Sequence, residues 1–152
     1  MKVFISYGTA ADQVTALRLQ ALGAVNGLTI YVPPAHTRQA ALLDPEAAQK
    51  LDEAEVVLGV VATGLAEACR LELNGGVSLH KHMIVMAHPA FVHSLQQPFG
   101  PNLVVIDPDN PALAESRIVQ YLKTIDAQKS AKTALLALGT LALGLLMLAP
   151  SD

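Results

Sequence analysis

The side chains in this 152-residue chain that could do chemistry sit in a few short stretches. Ser6-Tyr7-Gly8 sets two hydroxyls and a glycine at the end of an apolar run. Cys69-Arg70-Leu71-Glu72-Leu73 carries a thiol and a carboxylate three residues apart, and His80-Lys81-His82 carries two imidazoles. Arg38 stands apart in a polar loop, where it could meet a phosphate, a neighbouring subunit or only solvent. Taken alone, a buried cysteine is more often a small hydrophobe than a nucleophile, and a lone glutamate near a helix end is more often solvated than catalytic. Two histidines at i, i+2 share one side of an extended segment, but zinc wants two more ligands at recognisable spacing, and Cys69 is not placed to be one. No metal is expected. With neither a Walker A loop nor a G-x-G-x-x-G turn, phosphate-loop nucleotide binding has no support.

These residues have to be held by elements, and the pattern around them is clear. Val3 to Tyr7 is apolar and β-branched, a buried strand. Thr9 with Asp12 reads as a helix start in the manner of a capping box. Val14, Leu17, Ala21, Leu22 and Val25 recur at helical spacing, and Asn26-Gly27 stops that helix. A second strand over residues 28–32 ends at Pro33-Pro34, and residues 35–43 read as loop. Asp44-Pro45 opens a helix reaching about Glu55, with Asp as cap and Pro where its missing N–H costs nothing. Val56 to Val61 is apolar without alternation, as a central parallel strand buried on both faces must be. A short helix over 65–73, stopped by Asn74-Gly75-Gly76, leads to strands at 83–87 and 103–106, and a last helix starts at Asn110-Pro111. The stretch 88–101, with three prolines, reads as an ordered loop.

Strands alternating with helices imply right-handed crossovers and a doubly wound sheet. The expected architecture is α/β, a flavodoxin-like five-stranded parallel sheet of order 2-1-3-4-5, with its ligand crevice beyond the C-terminal ends of strands 1 and 3. That crevice nominates Ser6, Tyr7 and Gly8 after strand 1, the loop from Pro33 to Arg38, and Ala62 to Gly64.

Three passages together resemble the TIR (Toll/interleukin-1 receptor) domain family. Val3-Phe4-Ile5-Ser6-Tyr7 followed by Asp12 looks like the family's first-strand signature. Residues Leu51 to Val61 look like its central helix-to-strand passage, and Cys69-Arg70-Leu71-Glu72-Leu73 is similar to its Trp-Cys-x-x-Glu-Leu motif. The likeness covers roughly residues 1–125. Ala68 stands where the family has tryptophan, and Ala66 replaces a serine two residues earlier. The resemblance implies an NAD glycohydrolase active on self-assembly, with Glu72 as catalytic residue, NAD as substrate and no cofactor. Ser6, Tyr7, Gly8 and Arg38 would then bind substrate. Breaking a nicotinamide–ribose bond develops oxocarbenium charge that one carboxylate can stabilise, and nicotinamide leaves neutral without a general acid. Two other readings remain open: a non-catalytic TIR-like interaction module, which the missing Trp and Ser favour, and a nucleoside N-glycosidase or deoxyribosyltransferase of similar fold.

Composition bounds the rest. A net charge of −3 argues against nucleic acid, which needs a concentrated basic face. The single cysteine excludes an internal disulfide and suits a reducing compartment. Met1-Lys2 leads straight into a strand pattern, so no signal peptide is expected. Residues 1–126 read as the domain and 127–152 as a linker and hydrophobic helix. Thr133 to Ala149 carries no charge, and as a helix it would span roughly 25 Å, the short end of a bilayer span. Lys123, Lys129 and Lys132 precede it, which by the positive-inside rule implies a tail anchor with the domain in the cytoplasm. Thr140 and Gly144 would let two such helices approach closely. The alternative is a cytoplasmic oligomer in which the tail packs as a buried helix against protein.

Overall fold

The computed structural model describes residues 1–39 and 42–128, without the side chains of Arg38 and Gln39. Five strands form one parallel sheet: β1 (Lys2–Tyr7), β2 (Thr29–Tyr31), β3 (Val56–Val61), β4 (His82–Ala87) and β5 (Leu103–Val105). Their order is β2-β1-β3-β4-β5, as the alternation of elements implied. All six residues of β3 are buried, and it pairs with β1 on one side and β4 on the other. Continuous apolar sequence therefore marks the strand covered on both faces.

Among the described residues five α-helices cover the sheet: α1 (Gln13–Val25), α2 (Pro45–Glu53), α3 (Glu67–Ser78), α4 (Pro89–Phe99) and α5 (Pro111–Gln128). Val3, Ile5 and Tyr7 point into a core shared with α1 and α5. Phe4, Val57 and Val85 point into a second core shared with α2, α3 and α4. The period-2 alternation of a strand thus sorts β1 between the two faces.

Three local expectations change. The stretch 88–101 is not a loop, because its prolines delimit α4. Pro89 takes the first helical position, the His88 ring accepts at Nδ1 from the Ala90 amide at 3.0 Å, and Pro98 falls in the last turn. Asn74-Gly75-Gly76 does not stop α3, because both glycines serve packing. A Cβ on Gly75 would lie 2.8 Å from Leu51, and one on Gly76 would lie 2.7 Å from the Met83 sulfur. The helix ends instead at Ser78, and His80, with a φ of 56°, makes the left-handed turn just beyond it. The His80 and Lys81 amides then bond back to Val77 and Gly76, a Schellman pattern. Finally, the apolar stripe of α1 faces outward. Val14 and Val25 are 60% and 87% exposed, and Ala16, Leu19 and Gly23 make the inner face.

Helix α5 is tied to the rest at several points. The Arg18 guanidinium of α1 grips the buried Glu115 carboxylate at 2.9 and 3.0 Å, and this hydrogen bond raises the arginine pKa. The Met1 amino group pairs with Asp126 at 3.1 Å. Among the described residues no helix is long and apolar enough to cross a membrane. The run Thr133 to Ala149 lies outside the described residues.

His82, at the start of β4, sits 2.9 Å from the Tyr121 hydroxyl of α5. Burial lowers the His82 pKa below its ordinary 6.5 and pushes Tyr121 up to about 12. Both shifts favour the neutral forms. For a histidine with a depressed folded pKa, stability is intact above 6.5 and declines as pH falls from there toward the folded value, because the unfolded chain takes the proton first. Denaturant midpoints should therefore drop as the pH falls below 6.5, and His82→Gln should flatten that part of the profile. An unchanged slope in His82→Gln would remove His82 as its cause.

Candidate active site

Ser6 is the next-to-last residue of β1 and shares the face of Phe4, beneath α3. Its register partner in β3 is Gly59, where a Cβ would stand 3.1 Å from Leu73. A glycine in an otherwise large-residue strand lets α3 settle close to the sheet. From α3, Cys69 and Glu72 reach down at i, i+3 spacing, onto the same side of the helix. The Ser6 hydroxyl donates to Glu72 Oε1 at 2.8 Å, and the Cys69 sulfur lies 3.2 Å from the Ser6 hydroxyl oxygen. Glu72 is 1% exposed and Ser6 fully buried. Because α3 continues to Ser78, Glu72 is a mid-helix residue facing the sheet, not a solvated one near a helix end.

Above this pair, the loops leaving β1 and β3 are locked together. The Gly8 amide donates to Val60 O, and Gly8 O accepts from the Ala66 amide, both at 2.8 Å. A Cβ on Gly8 would come within 1.8 Å of Gly64 O, so only glycine fits. Asp12 does not cap a helix. Its buried carboxylate accepts from the Ala62 and Thr63 amides, each at 3.2 Å, and the Thr9 and Thr63 hydroxyls pair beside it. Tyr7 points to the opposite sheet face and donates through its hydroxyl to Pro33 O at 2.5 Å, which holds the loop after β2.

The three loops nominated from sequence thus meet over the ends of β1 and β3. Ser6 and Glu72 are in contact, Gly8 lies at the rim, and Tyr7 braces the arrangement from the far side without reaching Glu72. The backbone of Arg38 belongs to a 3-10 turn, Ala35–Gln39, that packs on α3. The Arg38 side chain lies outside the described part. No family model matches the chain, and no curated protein matches it. The TIR resemblance therefore rests on the quoted motifs.

Sequence reasoning missed the role of Asp12 as a clamp across the two loops, and those of Gly59 and Gly64 in close approach. Gly59 inside an unbroken apolar strand was the available signal. The two histidines are separated: His80 makes the helix-ending turn, and His82 faces Tyr121. Among the described residues no group of three or more His, Cys, Asp or Glu could hold a metal. A cavity of about 390 Å³ opens elsewhere, beyond the end of β5, between Pro89, Asp107 and Arg117. It is two strands removed from β3 and shares no residue with the Ser6–Glu72 pair.

The Asp12 clamp should be measurable. Asp12→Ala leaves two loop amides without their charged acceptor and should cost about 1.5–3 kcal/mol in urea unfolding, the range for hydrogen bonds to a charged group. Asp12→Asn keeps a carbonyl oxygen in place and should recover part of the loss. Full stability in Asp12→Ala would show that the two loops hold together without it.

Proposed function

We propose that this chain is a TIR-like NAD glycohydrolase of flavodoxin-like fold, with Glu72 as the catalytic carboxylate and Ser6 as the residue that positions it. The observation that carries the reading is the 2.8 Å hydrogen bond from Ser6 to Glu72 at the C-terminal ends of β1 and β3. In a doubly wound sheet that is where ligands bind, because the chain leaving one strand turns to one face and the chain leaving its neighbour turns to the other. NAD would lay its nicotinamide riboside against Glu72. As the C1′–N bond breaks, nicotinamide departs with the bonding electrons as a neutral molecule, and positive charge spreads over C1′ and the ring oxygen. The carboxylate stabilises that charge. Water then adds to C1′ and releases a proton, giving ADP-ribose. A hydroxyl bonded to Oε1 limits the carboxylate to one orientation, the kind of support that a catalytic group needs to act within a narrow geometry.

Glu72 is almost wholly covered, so NAD reaches it only when the segments over α3 part. That requirement gives self-assembly a role, since a neighbouring copy can stabilise the open arrangement. The same burial also favours a second reading, a non-catalytic interaction module in which Ser6 and Glu72 simply join β1 to α3.

Nicotinamide release from NAD, followed over a wide range of protein concentration, separates the two. A glycohydrolase should release it, with a rate per molecule that rises with concentration. Glu72→Gln keeps shape and a hydrogen-bond acceptor, so it should abolish release while the unfolding curve stays close to that of the parent. Ser6→Ala should lower kcat but leave measurable turnover. Absence of release at every concentration would leave the interaction module as the reading, and wild-type turnover by Glu72→Gln would strip Glu72 of its role.

A further inference from the structure

We infer that the cavity beyond the ends of β4 and β5 is a binding site for a ribonucleoside without phosphate. The sheet opens there for the same reason that it opens over β1 and β3. Strand β4 runs into α4, whose Leu95 and Phe99 pack in the core shared with α2 and α3. Strand β5 runs into α5, whose Ala114 and Ile118 pack in the core on the other face. The two exits therefore diverge, and in open α/β sheets ligands bind beyond the carboxyl ends of the strands where the chain turns to opposite faces. The Ile106 amide makes the last bond across this pair, to Ala87 O at 2.8 Å. Beyond it the chains part at Pro89 and Asp107 and leave about 390 Å³ between them. A cavity of a few hundred cubic ångströms is of the size that holds a small molecule.

The lining identifies the class of ligand. Val104, Ile106, Leu113 and Ala114 supply an apolar floor, and Asp107, Asp109, Asn110 and Arg117 supply polar groups around it. Among the described residues its ionisable groups are two carboxylates and one guanidinium, so a ligand of either single charge meets a like charge in the wall. A neutral ligand with both donors and acceptors has no such conflict. Its hydroxyls donate to the carboxylates, its ring nitrogens and carbonyls accept from the guanidinium, and the Asn110 amide can do either. The floor also asks for an apolar body, which a nucleoside has and a sugar alone lacks. An amino acid matches both signs but carries them on one carbon, whereas Arg117 lies about 9 Å along α5 from Pro111. A carboxylate beside a parallel strand is the group that holds ribose hydroxyls in dinucleotide-binding sheets, and Asp107 directly follows Ile106 at the end of β5. The wall is held in place: Asp107 Oδ1 accepts from the Asp109 amide at 2.9 Å, and Asp107 O accepts from the Asn110 amide at 3.0 Å. Phosphate does not fit, because both carboxylates repel it and Pro111, which opens α5, has no N–H to offer an anion.

Calorimetric titration of the full chain with adenosine and uridine, beside their 2′-deoxy forms and 5′-monophosphates, tests this site. At least one ribonucleoside should bind. Its 2′-deoxy form should bind about ten-fold or more weakly, the change expected for one hydrogen bond to a charged group, and its monophosphate should also bind more weakly than the nucleoside. Asp107→Asn keeps an oxygen for the Asp109 amide while removing the charge, so it should weaken the ribonucleoside by a similar factor. Asp109→Asn repeats the measurement if Asp107→Asn does not fold. Binding heat needs no turnover, so the result stands apart from the activity proposed for Glu72. No binding of either ribonucleoside up to millimolar concentration overturns the proposal. Equal affinity for the ribose and deoxyribose forms, tighter binding of the monophosphate, or parent affinity in Asp107→Asn overturns it as well.

Discussion

Gly8 and Gly64 approach so closely that a Cβ on Gly8 would stand 1.8 Å from the Gly64 oxygen, and the arrangement over β1 and β3 depends on that contact. In a doubly wound sheet the exits of these strands diverge, one toward α1 and the other toward α3 on the opposite face. Here the exits are in backbone contact before they part, and the Gly8 amide extends the β1–β3 ladder by one more bond, to Val60. The Asp12 carboxylate fills the place where free amides at 62 and 63 would otherwise attract a ligand anion. The absence of a phosphate-loop motif and the presence of this internal anion therefore tell the same story: phosphate is not gripped by these amides.

Beneath the contact lies a polar pair that stability alone would not select. Gly59 makes room, Ser6 supplies a proton, and Glu72 is drawn into an otherwise apolar layer that includes Leu73, Val57 and Val85. Burying a carboxyl group is costly even when it is hydrogen-bonded, and a leucine of similar volume would avoid the cost. The surroundings offset part of it through the Ser6 donor. What the arrangement supplies in exchange is position, because β1 and α3 can pack in only one register relative to each other if the hydroxyl is to meet the carboxylate. That restriction is useful to an active site and to a specific core alike, which is why turnover decides between the two readings.

The sheet was legible in the sequence for physical reasons that the helices did not share. Residues Val56 to Val61 matched the strand to the residue, because burial on both faces leaves no ambiguity of period. Asp44-Pro45 marked α2 correctly, since a capping carboxylate and a proline at the first position act locally, and Asp44 does accept from the Ala47 amide. The same logic applied to Pro89 but was hidden, because the cap there is an imidazole, which capping statistics do not favour. Gly75 and Gly76 read as a stop, since glycine disfavours helices by propensity, yet contacts with Leu51 and Met83 outweigh about 1 kcal/mol of propensity per residue. At the site, Ser6 and Glu72 were legible from motif and crevice. The clamp by Asp12 was not, because it spans fifty residues of sequence and no local pattern records it.

Helix α1 shows the limit of amphipathic reasoning most clearly. Pattern reading assumes that one side of a helix is greasier than the other, so that burial chooses the rotation about the helix axis. When both sides are apolar, the hydrophobic effect is nearly indifferent to that rotation, and weaker but directional terms decide it. Two such terms act here. Gly23 allows the close approach to Ile30, where a Cβ would come within 2.3 Å of the side chain, so the inner face is chosen by smallness and not by hydrophobicity. The two-pronged bond from Arg18 to the buried Glu115 then sets the angle, because a planar guanidinium meets a carboxylate in a restricted geometry. The larger side chains are consequently carried to the outside. Their exposure follows from a rotation fixed by a glycine and an ion pair.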